Sequence, residues 1–165
     1  MTGLNRSVLW GCATGVLLGI INTCVILFGV PAIGEDVTFL RETPHAAMPT
    51  WFMVPWGILG IAAFVELNFR AFLLGRLEVI FCRSLRVPYV ENAAGGSVLA
   101  ILGSALVFAF DPFMVMTFRH LHWIAVWDGL IWGWLWVRLQ SLYAVIVAHT
   151  IEVIIMYLSI KAVMT

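Results

Sequence analysis

The stretch LYAVIVAHTIEVIIMYLSIKAVM, residues 142–164, decides the fold, because it is longer than the ~20 residues that cross a bilayer and holds only two charged side chains, Glu152 and Lys161. Four more apolar runs precede it, from about Val8 to Val30, Trp51 to Leu74, Gly96 to Phe110 and Leu121 to Val137. The third is short enough to be tilted or partly re-entrant. The expected fold is therefore all-α: an integral membrane bundle of about five transmembrane helices forming one domain over residues 1–165. Composition agrees. Hydrophobic residues make up 62% of the chain and charged residues 11%, against roughly 25% charged in soluble domains. A net charge of zero supplies no basic field for nucleic acid, so no nucleic-acid partner is expected.

Orientation follows from the arginines and lysine that flank the runs. An N-terminus inside puts Arg6, Arg76, Arg83, Arg86 and Arg138 on the cytoplasmic side and Arg41, Arg119 and Lys161 outside. The expected location is the cytoplasmic membrane of a bacterium. The acidic, proline-containing loop PAIGEDVTFLRETPHAAMPT (31–50) would be external, and LEVIFCRSLRV (77–87) would be a short interfacial helix on the cytoplasmic side. Arg6 ahead of an apolar run resembles a signal peptide, but the run is long and no A-x-A pattern closes it, so it reads as a retained anchor helix. Cys12, Cys24 and Cys82 lack metal-ligand spacing and read as small core residues.

Glycines recur at four-residue spacing in two runs: Gly11, Gly15 and Gly19 in the first, Gly129 and Gly133 in the fourth. Small residues let helices approach closely in lipid, so these faces should touch another helix, in the same bundle or in a neighbouring subunit. Five tryptophans, Trp123, Trp127, Trp132, Trp134 and Trp136, crowd the fourth run. Trp123 and Trp136 suit interfacial anchoring. The deeper three could pack internally, face lipid, or meet a pigment or another subunit.

Ionisable side chains inside spans are costly in hydrocarbon and stand out as functional candidates. They are Glu66, Arg70, Asp128, His149 and Glu152. Glu66 lies ten residues from Arg76, Asp128 ten from Arg138 and His149 eleven from Arg138. At ~1.5 Å per residue this predicts one polar layer about 15 Å deep. Glu66 and Arg70 are spaced i, i+4, and His149 and Glu152 i, i+3, so each pair shares a helix face. Three carboxylates against one arginine leave negative charge to be met by a proton or a cation.

Three stretches carry a resemblance. FVELNFRAFLLGRL (64–77) resembles the E-E-x-x-F-R-G motif of the CPBP intramembrane proteases, the CAAX-processing and bacteriocin-processing family. GSALVFAF (103–110) is similar to the lead into their F-x-x-x-H motif, and GLIWGWLWVRLQSLYAVIVAHTIEV (129–153) to the region that ends in H-x-x-x-N. The resemblance spans roughly residues 50–160 and implies a membrane-embedded helical protease fold.

Val65 stands where the family's water-activating glutamate would be, Pro112, after Asp111, replaces the histidine of the second motif, and Val153 replaces the asparagine of the third. Glu66 and Arg70 remain, followed by Ala71 in place of glycine, and Phe108 and His149 are kept. Hydrolysis needs a positioned base and a group that stabilises the oxyanion, and valine supplies neither. Glu152 lies one residue from the lost asparagine position, about 100° away around a helix. His120 and His122 follow Pro112 in an expected external loop.

A pseudoenzyme is the expected reading. It would act as an accessory or scaffold subunit, or an assembly factor, of a larger membrane complex such as a respiratory or photosynthetic one, with other membrane subunits as partners and no cofactor of its own. One alternative is a residual metalloprotease using Glu66, His149 and Glu152. Another is a haem- or pigment-binding subunit, for which His149 lacks a second histidine at matching depth and no C-x-x-C-H is present. A bound lipid, pigment or metal is left open.

Overall fold

The computed structural model describes residues 3–84 and 94–164. Among these the chain is all-helical, without a strand. Membrane-length helices are α1, Gly3–Ala32; α3, whose apolar part runs Thr50–Cys82 and whose last segment is Gly75–Ser84; and α7, Leu142–Met164. Between them lie α2 (Pro44–Ala47), α4 (Ala94–Ala109), α5 (Pro112–Phe118) and α6 (Ile124–Leu139).

Against the expected five spans, three helices among the described residues are long and apolar enough to cross a membrane, or four if the bent pair Val98–Ala109 and Pro112–Leu139 is one span. The reason is length. Helices α4 and α6 have 16 residues each, which at ~1.5 Å per residue is about 24 Å, short of the ~30 Å hydrocarbon core. Asp111 and Pro112 break the run at a bend of 52°. Asp111 caps α5 by accepting from the Phe113 N–H at 2.9 Å, and Pro112 occupies the first turn, where a missing N–H costs nothing. Part of the expected external loop before the fourth span is therefore helical. Of the stretch 77–87, residues up to Ser84 continue α3; residues 85–87, with Arg86, lie outside the described residues.

The chain divides into two compact units. The first comprises Met1–Ala63 with Tyr143–Thr165. Here α1 presents Ser7, Gly11, Gly15, Leu18, Gly19 and Asn22 as one buried stripe. Apart from Leu18, the packed side is marked by small and polar residues. A Cβ added at Gly11 would stand 2.6 Å from the Ala144 carbonyl oxygen, at Gly15 2.5 Å from that of Ala148, and at Gly19 2.9 Å from Ile155 Cβ. Helices α1 and α7 thus meet backbone to backbone. Near the far end of α7, Tyr157 and Lys161 each donate to the Met48 carbonyl at 3.2 Å, fastening the segment between α2 and α3.

The second unit is Phe64–Leu142. Helix α4 lies between the rest of α3 and α6. A Cβ at Gly129 would stand 2.8 Å from Ala105 Cβ, one at Gly133 2.9 Å from Ile101 Cγ2, and one at Gly103 3.2 Å from Leu77 Cδ1. Helix α6 ends where Gln140 turns left-handed, φ 48°, and its N–H bonds the Trp136 carbonyl at 2.8 Å.

Three stretches of the long helices widen into π-helical turns. Two surround or precede a proline: Val25–Gly29 comes just before Pro31, and Met53–Gly57 contains Pro55. A proline removes one helical N–H and crowds the carbonyl four residues back, and a wider turn relieves both. The third, Leu67–Leu74, contains no proline. It carries Arg70.

Candidate functional site

In the second unit Glu66, the last residue before the wide turn of α3, and Arg70 within that turn are both buried, 0% and 1% exposed. Arg70 Nε stands 3.2 Å from Glu66 Oε2. The guanidinium lies 5.0 Å from the centroid of Phe108 on α4 and 5.2 Å from that of Trp132 on α6. The aromatic rings support one another, with Phe69 edge-on to Phe108 at 5.0 Å and Phe108 tilted against Trp132 at 6.4 Å. Glycine at 129 leaves room for the cation, since a Cβ there would be 3.6 Å from Arg70 Nη2.

A buried arginine of this kind is held by a carboxylate of its own helix and by the negative faces of two rings. One side chain so pinned joins α3, α4 and α6. It is a clamp rather than a mobile acid, since guanidinium does not give up its proton. Ser104 on α4 adds a second tie by donating to the Phe69 carbonyl at 2.9 Å, a carbonyl within the wide turn. Such side chains recover backbone groups that a widened helix leaves open. Asp128 is buried on α6, next to Gly129. Val65, at the position of the family's first glutamate, is half-buried, and Pro112 opens α5.

The first unit holds His149 and Glu152, both buried on α7. Glu152 Oε1 accepts a hydrogen bond from the carboxamide of Asn22 at 2.7 Å. Asn22 is 0% exposed and closes the stripe that the glycines of α1 begin. Reasoning from ionisable residues passes over it, because asparagine is neutral. The signal was present in its phase: 11, 15, 18/19 and 22 follow one helix face. Replacing Asn22 with leucine is expected to remove this donor from a buried carboxylate and lower stability by about 1–3 kcal/mol. Tryptophan-fluorescence unfolding in detergent should show the shift; an unchanged midpoint would mean the bond carries nothing.

The other four tryptophans of the 123–136 stretch are spread around α6 and the turn before it. Trp123 and Trp127 stack edge-on at 4.8 Å, Trp136 is half-buried and Trp134 is exposed. His120 and His122 occupy the turn Arg119–Trp123, where the His122 ring lies edge-on to Phe110 at 5.0 Å. The three cysteines are free thiols. Among the described residues no group of three or more His, Cys, Asp or Glu side chains is arranged to hold a metal ion.

Fold and site together define an all-helical chain with several helices long and apolar enough to span a membrane, and with charged groups enclosed inside them. Comparison with protein-family models, with curated proteins and with solved structures returns no match.

Proposed function

We propose that this chain is a hydrolytically silent relative of the CPBP intramembrane proteases that serves as an accessory or scaffold subunit, or assembly factor, of a larger membrane complex in a bacterial cytoplasmic membrane, with its N-terminus inside. The observation that carries the reading is the state of Arg70. In the stretch that resembles the family's first motif, the two charged groups that remain are engaged with each other and with Phe108 and Trp132. They hold helices together. The positions that would drive hydrolysis in the family hold Val65, Pro112 and Val153, which neither activate water nor stabilise an oxyanion.

Charge buried in this way supports a framework role, because a network that fixes helix positions in lipid gives a partner a rigid surface. Two-dimensional native electrophoresis of gently solubilised membranes tests it. The chain is expected to migrate with other subunits in one band well above its own mass. A band holding this chain alone overturns the reading. Cleavage of a prenylated or leader peptide by wild type but not by His149→Ala would replace it with the residual protease.

A further inference from the structure

We propose that the segment joining α1 to α3, residues 33–49, is an acid-released strap: it stays docked on the first unit while His45 is neutral and lets go when His45 takes up a proton. Its docking combines buried side chains with one polar tie across to α7. Val37, Phe39, Leu40 and Thr43 are buried. The Thr43 hydroxyl donates to the Leu40 carbonyl at 2.8 Å and accepts from the Ala46 N–H at 3.4 Å, which joins the turn Thr38–Glu42 to α2. Met48 holds the far end. Its carbonyl accepts from Tyr157 and Lys161, and the Lys161 ammonium also donates to the Tyr157 hydroxyl at 2.9 Å. Helical turns of five and four residues are too short to persist without tertiary contacts, so the strap docks or melts as a unit.

His45 sits between the two anchors, two residues after Thr43 and three before Met48. It is half-buried, and its ring Nδ1 is shut off from solvent. Imidazole is the side chain whose charge ordinarily changes between about pH 5 and 8. Charging it in place is unfavourable, and that burial holds the His45 pKa below its ordinary value. Once the strap leaves, the ring returns to water and to a pKa of about 6.5. The released strap thus binds the proton more tightly than the docked one. Docking keeps its full strength above about pH 6.5 and weakens as the pH falls from there toward the lowered value.

The charges around His45 do not cancel this effect. Glu35, Arg41 and Glu42 are exposed and belong to the strap itself, so they travel with the ring whether it is docked or not. Asp36, also on the strap, accepts from the Thr38 N–H at 2.9 Å and its hydroxyl at 2.7 Å. On α7 the groups at this end are Tyr157 and Lys161, and the ammonium repels an imidazolium. Glu152 lies nine residues before Lys161, about two and a half turns away, and is engaged by Asn22; His149 is further still. The last turns of α1, 25–32, and the first of α3, 50–63, carry no charged residue. The device is independent of the scaffold reading, since it requires neither a partner subunit nor a hydrolytic site.

The test is hydrogen exchange of the full-length protein in phosphatidylcholine vesicles, corrected for the intrinsic pH dependence of exchange. It reads the amides of Leu40, Thr43, Ala46 and Ala47, which are hydrogen-bonded within the strap. Their protection is expected to be constant above about pH 7 and to fall by up to about tenfold per pH unit below about pH 6.5, the slope of one proton. The Gln140 amide at the end of α6, bonded to the Trp136 carbonyl, should keep its protection over the same range. His45→Gln and His45→Phe place no titrating group in the strap at that position, and each should remain protected at about pH 8 and lack the slope. A flat wild-type profile, a slope that survives in both variants, or an equal slope at Gln140 would each overturn the proposal. So would loss of protection in both variants at about pH 8, which would show that docking needs the imidazole whatever its charge.

Discussion

Glu66→Ala is expected to be the most damaging single substitution in the chain, lowering stability by about 3–5 kcal/mol, because it leaves the Arg70 guanidinium buried without its carboxylate. The two side chains are 0% and 1% exposed, so water cannot take the lost partner's place. The faces of Phe108 and Trp132 offset part of the loss but carry no net charge to neutralise the cation. Removing both charges in Glu66→Met/Arg70→Met should recover most of the stability, since an apolar pair of similar volume often matches a buried ion pair. The midpoint of sodium dodecyl sulfate unfolding, followed by tryptophan fluorescence, measures both variants. If the single variant is as stable as the double, the ion pair is not what holds α3 against α4 and α6.

Gly15→Ala should follow in severity. Its new methyl would stand 2.5 Å from the Ala148 carbonyl oxygen and 3.0 Å from Ala148 Cα. Those are backbone atoms, so no rotamer change makes room, and α1 must move away from α7. Overpacking of this kind costs typically about 1–3 kcal/mol, and the rigidity of both sides places this case at the upper end. Gly60→Ala is the matched control, because a Cβ there meets nothing within 4 Å, and helix propensity alone would leave it neutral or stabilise it by up to about 1 kcal/mol. Equal midpoints for the two variants would show that the close approach of α1 to α7 is not required. Loss confined to Gly15→Ala would place the contact among the determinants of the first unit.

Apolar length told most of the fold. Residues 8–30, 51–74 and 142–164 read as spans because hydrocarbon accepts only long runs whose backbone is satisfied internally, and α1, α3 and α7 cover them. The region between 96 and 137 was less readable. Apolar content there is high enough for two spans, but Asp111 and Pro112 cut it into helices whose lengths fall short, and composition does not record where a helix ends. Among the polar residues, the i, i+4 spacing of Glu66 and Arg70 made their pairing visible. The ring faces that complete their surroundings come from α4 and α6, at separations that spacing rules do not reach. Glycine spacing pointed to close packing but not to the partner, which for Gly11 and Gly15 is Ala144 and Ala148 and for Gly129 is Ala105. Asn22 escaped because a neutral amide in an apolar run has no distinguishing charge, although its bond to Glu152 is a buried polar tie of the first unit.

The wide turn at Leu67–Leu74 has a further consequence for how α3 is read along its length. A π turn takes up an additional residue while the helix axis continues, so the angular bookkeeping of an ideal helix restarts after it. The residues from Ile58 to Glu66 and those from Gly75 onward keep separate phases. Helical-wheel alignment across residue 70 would assign the wrong inward face to one half of α3. Comparison of this chain with any other should accordingly align the two halves separately and allow a one-residue gap between them.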